Sequence, residues 1–361
     1  MRGTKKLRVA ARSTRSREAV PVMRFPLSLT STMTSYLLKK KLTGERRFPL
    51  VLMLEPLHAC NLTCTGCGRI REYVSTIKDK LTVDECLAAV DECGAPVVSI
   101  CGGEPMIYPQ IEELVAKILE RKKFVYLCTN GMFIRKKIAG FKATNRFFFN
   151  IHLDGMEDSH DLAVERKGVF TEAVEGIKVA KAAGHIVCTN TTIYKETDMH
   201  EIAVLFGYLT ELGVDGFMLS PAYGYSAVQQ TNPDGAAQIF MTREDVHAKF
   251  QQARELLKGF KLNTSPIYLE FLRGERDLKC AAWANPTRNI RGWKGPCYLI
   301  TDKHYKTHKD LVQLTDWDKL GRGNDPRCEN CMVHCGFEPA AVLGVNKRLG
   351  DTFKMALWQL T

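Results

Sequence analysis

The chain has 361 residues, of which 45% are hydrophobic and 25% charged. This composition is typical of globular proteins and excludes a wholly disordered or fibrous chain. The first 50 residues hold 13 of the 51 basic residues and 2 of the 40 acidic ones, so the rest of the chain carries no net charge. A neutral body argues against a nucleic-acid groove on the folded part, and we expect no nucleic acid as a partner.

The N-terminal part divides into two segments. Residues 1–26 are basic and rich in serine and threonine, which predicts a disordered arm. Within residues 27–47, an amphipathic helix is predicted from Leu27 to Leu42. One face of this helix carries Leu29, Met33, Tyr36 and Leu37. The helix either packs on the domain or, with Lys39 to Lys41 at its end, rests on an anionic membrane surface.

From residue 48 to residue 222, strand patterns alternate with helical patterns. The predicted strands are Leu50–Glu55, Pro96–Cys101, Lys123–Cys128, Phe147–Leu153, His185–Ile193 and Gly216–Ser220. The predicted helices lie near residues 82–93, 109–121, 133–142, 170–183 and 199–212. This alternation predicts an α/β fold with a parallel sheet, either open or curled into a full or partial barrel. Both arrangements place active-site loops at the carboxyl ends of the strands.

The loop after the first strand carries three cysteines, Cys60, Cys64 and Cys67. Three thiolates at these spacings fit one face of a [4Fe–4S] cluster and leave the fourth iron open to a substrate. The alternatives are a structural zinc site with His58 as the fourth ligand, or three unrelated thiols.

This loop resembles the cluster-binding signature of the radical S-adenosylmethionine (SAM) superfamily, Cys-x3-Cys-x2-Cys. Further stretches match in order after successive strands: Gly102-Gly103-Glu104-Pro105, Thr129-Asn130-Gly131 and His152-Leu153-Asp154-Gly155. The resemblance implies a partial (β/α)6 barrel over residues 48–222 that binds a [4Fe–4S] cluster and SAM. The residues that it implies as SAM contacts are Gly102, Gly103, Glu104, Asn130, His152, Asp154 and Arg166. It also implies that the reduced cluster splits SAM into methionine and a 5′-deoxyadenosyl radical.

Several segments resemble one family more narrowly, the adenosyl-hopene transferases of hopanoid synthesis. These segments are Arg47–Pro56, Cys93–Ile100, Lys123–Asn130, Asn285–Asn289, Gly295–Tyr298 and Cys331–Gly336. The resemblance implies that the radical adds to the terminal alkene of a C30 triterpene, diploptene, and yields adenosylhopane. The alternative is a radical SAM enzyme that abstracts hydrogen from a peptide or another substrate and uses an auxiliary cluster.

Radical addition to an alkene leaves a carbon radical that must gain either a hydrogen atom or an electron and a proton. Cys101 immediately precedes the Gly-Gly-Glu stretch and is the first candidate for a hydrogen donor, with a buried strand thiol as the alternative. Tyr108 is the second candidate. An apolar substrate pocket is expected around Phe217, Met218, Tyr223, Tyr225, Tyr268 and Phe271, with core packing as the alternative.

The resemblance also implies partners and a location. A triterpene substrate partitions into the lipid bilayer, so we expect a cytoplasmic enzyme at the surface of the inner membrane. Thirteen cysteines without an export signal fit the same reducing compartment. An electron donor such as a flavodoxin or a ferredoxin would reduce the cluster.

A second group of cysteines lies in residues 223–361, which are predicted to form an irregular substrate or auxiliary domain. These cysteines are Cys280, Cys297, Cys328, Cys331 and Cys335. Their density predicts a second metal site, either another [4Fe–4S] cluster or a structural zinc.

Overall fold

The computed structural model describes residues 24–229, 239–344, 348 and 350–360, so most of the predicted basic arm lies outside the described residues. Nine strands form one sheet. The strands are β1 (Val51–Leu54), β2 (Val97–Ile100), β3 (Phe124–Thr129), β4 (Phe147–His152), β5 (Ile186–Ile193), β6 (Gly216–Pro221), β7 (Thr287–Asn289), β8 (Gly292–Pro296) and β9 (Thr301–Tyr305).

The first six strands confirm the predicted parallel sheet. They are neighbours in chain order from β6 to β1, and every pair among them is parallel. The sheet does not close: β7 pairs in parallel with β1, and the antiparallel strands β8 and β9 extend that edge. The six parallel strands and their helices therefore form a partial (β/α)6 barrel, as predicted.

Helices follow most of the strands. The described α-helices are α1 (Leu27–Leu42), α2 (Arg69–Glu72), α3 (Val83–Cys93), α4 (Ile111–Glu120), α5 (Ile134–Lys137), α6 (Glu157–Ala163), α7 (Val169–Ala182), α8 (Met199–Glu211), α9 (Ser226–Gln229), α10 (Arg243–Leu256), α11 (Pro266–Leu272), α12 (His308–Leu314), α13 (His334–Leu343) and α14 (Asp351–Leu360). Helix α3 shows why such a segment begins and ends where it does. Thr82 and Glu85 form a capping box at its start, and Gly94 ends it in the left-handed conformation.

Alternation along the strands gives the sheet two different faces. Leu54, Ile100 and Leu127 belong to the large core that includes residues of α3, α4, α7 and α8. On each strand, the residues that alternate with these core residues point to the opposite face, which we call the inner face. By this alternation Glu55 and Cys101 end their strands on the inner face, at the carboxyl edge of the sheet.

Helix α1 closes the other end of the inner face. Its predicted bounds are confirmed, and Leu29 packs against Val97, Phe124 and Phe148 near the amino ends of β2 to β4. Met33, Tyr36 and Leu37 also pack inward, on a small core shared with the C-terminal part. The predicted apolar face of α1 is thus a packing face, and it lies at the end of the sheet opposite to the loops that carry the three cysteines.

The C-terminal part is more regular than the sequence indicates. The prediction of an irregular region is wrong for residues 287–305, which form β7, β8 and β9, and four described helices cover residues 266–272, 308–314, 334–343 and 351–360. The short strands are rich in glycine, lysine and proline, which is why they escape a pattern search. None of the described helices is long and apolar enough to cross a membrane.

Candidate active site

The three-cysteine loop is held from several sides. The Arg71 guanidinium donates to the carbonyl oxygens of Cys67 at 2.7 Å and Thr65 at 3.3 Å. The hydroxyls of Thr63 and Thr65 each donate to the Glu165 carboxylate at 3.0 Å. These contacts fix the backbone and leave Cys60, Cys64 and Cys67 as free thiols that are partly exposed.

Two tyrosines from later strands cover the glycines of this loop. The Tyr225 hydroxyl, after β6, accepts a 2.7 Å hydrogen bond from the backbone N–H of Gly68. The Tyr194 side chain, after β5, lies directly against Gly66. Neither glycine position has room for a side chain, so the loop and the two tyrosines fit only in this arrangement.

The donor set fits an iron–sulfur cluster, because cysteine thiolates are the ligands that such clusters take. Burial raises the pKa of Cys60 to about 12 and also raises that of Cys64, so these thiols ionise only against a strong positive charge such as that of iron. Among the described residues, no three His, Cys, Asp or Glu side chains converge closely enough to hold one metal ion.

The loop after β2 requires its two glycines. Gly102 has φ +114°, and a Cβ there would lie 2.4 Å from the carbonyl oxygen of Leu57. At Gly103 a Cβ would lie 2.0 Å from the carbonyl oxygen of Ala59. Only glycine permits this approach, which packs the predicted SAM-binding loop onto the chain that leads into the cysteine loop.

Glu104 ties the loops after β2 and β3 together. One oxygen of its carboxylate accepts hydrogen bonds from the Met106 N–H at 2.8 Å and the Thr129 hydroxyl at 2.7 Å, and the other accepts from the Asn130 N–H at 2.8 Å. Burial raises the pKa of Glu104 to about 7, although these three donors favour the ionised form. The carboxylate is thus occupied by protein groups, and we expect it to act on SAM by positioning the loop.

Asn130 and Arg166 both reach the cysteine loop through Asn61. The Asn130 side-chain amide donates to the Asn61 side-chain oxygen at 2.9 Å. The exposed Arg166 lies at the same place, with its guanidinium 3.4 Å from the Asn61 carbonyl oxygen. Two predicted SAM contacts from different parts of the chain therefore meet beside the predicted cluster.

His152 and Asp154 form a pair at the end of β4. The His152 Nε2 lies 2.7 Å from an Asp154 oxygen, and the other Asp154 oxygen accepts from the Thr192 N–H at 2.7 Å. Burial alone would lower the pKa of His152, but the Asp154 carboxylate outweighs burial and raises it. The pair presents a polar group on the inner face, where the resemblance places the ribose of SAM.

Cys101 lies beside a buried carboxylate. Leu54 of β1 pairs with Ile100 of β2, so the next positions, Glu55 and Cys101, are neighbours at the strand ends. Glu55 is fully buried, and its Oε1 lies 3.2 Å from the Nε of Arg69. Burial first, and then the Glu55 charge, raise the pKa of Cys101 well above its usual range. The thiol therefore keeps its proton, as a hydrogen-atom donor must.

Tyr108 is not placed to donate hydrogen, and this prediction is wrong. Its side chain is fully buried in the core on the helix-covered side of the sheet, where its hydroxyl donates to the Leu81 carbonyl oxygen at 2.8 Å. Three of the expected pocket residues, Phe217, Tyr268 and Phe271, are likewise core residues. Aromatic residues after a strand give the same sequence signal whether they line a pocket or fill a core.

The five C-terminal cysteines line one cavity, which we call the five-thiol cavity. Its wall includes Tyr223 and Tyr298 and otherwise mainly apolar groups. The Cys297 sulfur accepts a 3.3 Å hydrogen bond from the Ile300 N–H, and Cys335 lies in the first turn of α13. The sequence grouped these five thiols correctly, and the structure brings all of them together.

Sequence reasoning missed several polar residues of the site. Glu55, Arg69 and Lys294 form a buried ion network with Glu72, in which the Lys294 Nζ lies 3.1 Å from a Glu72 oxygen. The sequence offered two signals for them: Glu55 ends an apolar strand, and Arg69 lies two residues after Cys67. Tyr194 had no signal, since only the fold brings it to Gly66.

We expect Glu104→Gln to weaken SAM binding by about tenfold or more, because the amide NH2 would face one of the three donors that the carboxylate accepts. The loss is to be measured by isothermal titration of SAM into the reconstituted protein. Glu113→Gln on the exposed side of α4 is the matched control and is expected to bind SAM normally. Equal SAM affinity of the Glu104→Gln variant and the wild type would contradict the positioning role.

Comparison with known proteins agrees with this site. Residues 54–209 match the radical SAM superfamily, and residues 217–355 match a domain of unknown function, DUF3463. The AdoMet-dependent heme synthase of Methanosarcina barkeri is 25% identical over 70% of this chain and 74% of its own length. The GTP 3′,8-cyclase 1 of Mycobacterium tuberculosis is 29% identical over 45% of this chain, which spans about half (48%) of that relative.

Solved structures show the same fold. Streptococcus suis SuiB bound to its precursor peptide SuiA has a TM-score of 0.60 at 15% identity, over 84% of this chain and 74% of that one. SuiB bound to S-adenosylmethionine has a TM-score of 0.55 at 18% identity, over 71% and 62%. The radical SAM superfamily uses a [4Fe–4S] cluster and SAM. The chain therefore combines a radical SAM domain with a C-terminal DUF3463 domain.

Proposed function

We propose that the enzyme adds the 5′-deoxyadenosyl radical to the terminal alkene of a C30 hopene, diploptene, and releases adenosylhopane. The proposal rests on the six segments that resemble adenosyl-hopene transferases, which lie on β1, β2, β3, β7, β8 and α13 and in their adjoining loops. Three residues described at the site, Glu55, Cys101 and Tyr298, belong to these segments or adjoin them. When bound, the cluster and SAM supply the radical.

The protein's own residues would divide the remaining work. Cys60, Cys64 and Cys67 would hold the cluster, and the loops tied by Glu104 and Asn130 would orient SAM against it. The inner face, closed at its far end by α1, would exclude water from the radical.

The observation that carries the proposal is the placement of Cys101. Radical addition, unlike hydrogen abstraction, ends with a carbon radical on the product that needs a hydrogen atom. Cys101 offers a protonated, buried thiol at the mouth of the inner face, directly before the predicted SAM loop. Its S–H bond is weak enough to be broken by a carbon radical, which makes the thiol a suitable donor.

A second function is favoured by a different observation. SuiB, which shares the fold, is known in a complex with a precursor peptide, and the five-thiol cavity offers a place for an auxiliary cluster that would accept an electron. The alternative is thus a radical SAM enzyme that abstracts hydrogen from a peptide or another substrate. It predicts free 5′-deoxyadenosine and an oxidised substrate in place of an adduct.

The decisive assay is anaerobic: reconstituted enzyme, dithionite, SAM and diploptene, with products followed by mass spectrometry. We expect a species with the combined mass of the alkene, the adenosyl group and one hydrogen. Cys101→Ala is expected to cleave SAM normally but to form at least about 90% less of this product. A tenfold loss of rate corresponds to about 1.4 kcal/mol in the activation barrier. Cys86→Ala, a buried thiol on α3, is the control and should retain the product. Free 5′-deoxyadenosine without any adduct would sink the proposal.

We also propose that the five-thiol cavity holds a second [4Fe–4S] cluster. Five cysteines line it, and a [4Fe–4S] cluster needs four cysteine ligands.

The metal is identified by counting it in a protein that lacks the first site. In a Cys60→Ala/Cys64→Ala/Cys67→Ala variant we expect about four irons per chain and no zinc after reconstitution. Cys331→Ala added to this variant should remove that iron, whereas Cys188→Ala, in β5, should not. One zinc per chain, or no metal at all, would reject the second cluster.

A bilayer substrate brings the enzyme to a membrane, and we propose that the outer side of α1 makes this contact. Leu27, Leu38 and Leu42 are more than half exposed there, next to Lys39 and Lys41. Because α1 lies opposite the cysteine loops, such a contact would not bring the mouth of the site to the membrane, and the substrate would have to leave the bilayer to reach it.

We expect the protein to sediment with vesicles that contain phosphatidylglycerol and to lose about tenfold of that affinity in Leu38→Ser/Leu42→Ser. Leu314→Ser, equally exposed on α12, is the matched control. Binding that is unchanged in the double variant would remove α1 from the membrane contact.

A further inference from the structure

Four lysine or arginine side chains are buried among the described residues. They are Arg69, Arg243, Arg276 and Lys294, and none of them is more than 7% exposed. Three of these cations pair with a carboxylate: Arg69 with Glu55 at 3.2 Å, Arg276 with Asp351 at 2.8 Å and Lys294 with Glu72 at 3.1 Å. Arg243 differs from the others, because it forms no ion pair with any carboxylate in the described part of the chain.

Arg243 begins helix α10 and lies against the loop that carries Cys328 and Cys331. Its guanidinium donates to the Cys331 carbonyl oxygen at 3.5 Å, and its backbone N–H donates to the Asn330 side-chain oxygen at 3.2 Å. The guanidinium also lies 5.2 Å from the centre of the Phe271 ring. Its Nε is buried and has no hydrogen-bond partner among the described residues. The positive charge therefore lies against the backbone of a cysteine that lines the five-thiol cavity.

A buried guanidinium without an anion is costly, because the protein interior does not replace the hydration that it loses. The Phe271 ring and one carbonyl oxygen offset only part of this cost. The thiols of the five-thiol cavity can supply the missing negative charge when they bind a metal. Four thiolates carry more negative charge than a [4Fe–4S] core or a zinc ion neutralises, so the loaded site is an anion.

We propose that Arg243 is the counter-charge of the metal bound in the five-thiol cavity. This inference rests on the proposed second metal site and not on the identity of the alkene substrate. Arg243 is a positioning residue: it holds the Cys328–Cys331 loop through two hydrogen bonds and acts on the metal through space. Because buried charges are poorly screened, its charge stabilises the loaded site.

The same charge has a further effect if the metal is a cluster. A [4Fe–4S] cluster becomes more negative by one charge when it is reduced, so a nearby cation favours the reduced state and raises the reduction potential. Zinc undergoes no such change, and for zinc the cation would act on retention alone. Arg243 thus affects two measurable properties of the site, its potential and its hold on the metal.

The first test measures the potential after the charge is removed. Arg243→Met keeps an apolar stem, and it is made in the full-length chain that carries Cys60→Ala, Cys64→Ala and Cys67→Ala, here called the parent, so that the second site alone is loaded. The cluster is titrated anaerobically with dithionite and followed by electron paramagnetic resonance. At the same applied potential we expect the ratio of reduced to oxidised cluster to fall about tenfold, which is about 59 mV for one electron.

Two further variants separate the charge from the packing. Arg243→Lys keeps the charge and is expected to recover most of the potential. Arg254→Met is the matched control, because Arg254 lies on the same helix, is exposed and pairs with Glu275 at 3.0 Å; its potential should equal that of the parent. An unchanged potential in Arg243→Met, or an equal fall in Arg243→Lys, would overturn the counter-charge.

The second test measures retention and applies to either metal. The loaded variants are incubated with EDTA, and their iron and zinc are counted over time. We expect Arg243→Met to lose its metal about tenfold faster than the parent, whereas Arg243→Lys and Arg254→Met should lose it at the parent's rate. Equal rates in Arg243→Met and the parent would contradict the counter-charge.

These outcomes distinguish the inference from the proposals above. If the parent holds zinc and Arg243→Met loses it faster, the counter-charge stands and the second cluster fails. If the parent holds no metal, both fail. If the potential shifts as expected but the wild type forms no adduct with diploptene, the counter-charge stands and hopene adenosylation fails.

Discussion

The arrangement of the whole site depends on how the loops after three parallel strands are tied at the carboxyl edge of the sheet. The Glu104 carboxylate makes this tie, since it accepts one donor from the last residue of β3, one from the loop after β3 and one from its own loop. The close approach of Gly102 and Gly103 to the backbone of residues 57 and 59 adds the third loop. A carboxylate buried without these donors would be costly, so the loops stabilise the charge and the charge holds the loops.

Buried ion pairs and hydrogen bonds, besides a shared hydrophobic core, join the C-terminal domain to the radical SAM domain. Lys294 of β8 is fully buried and pairs with Glu72, and Trp293 donates to Glu92 of α3 at 2.9 Å. Buried ions stabilise little by themselves but penalise any misplaced partner. The interface therefore specifies how the five-thiol cavity is oriented toward the inner face.

The sequence predicted the parallel half of the fold because its strands are apolar and its helices periodic; strand and helix bounds agree to within a few residues for β1 to β6. It also grouped the cysteines correctly, since their spacing along the chain can be read directly from the sequence. The strands β7 to β9 could not be predicted, because Lys294 is buried by pairing with a residue more than 200 positions away. Tyr108 was misplaced for a related reason: which face of the sheet a loop residue reaches depends on packing that the local pattern does not contain.

The position of α1 has a consequence for the order in which molecules enter and leave. Leu29 and the aromatic residues beneath it fill the amino end of the inner face, so in the described part of the chain traffic passes through the carboxyl edge. SAM held at the cysteine loop and a bulky second substrate would then share this one entrance. With a single entrance, SAM would have to bind before a bulky second substrate, and methionine would leave only after the product.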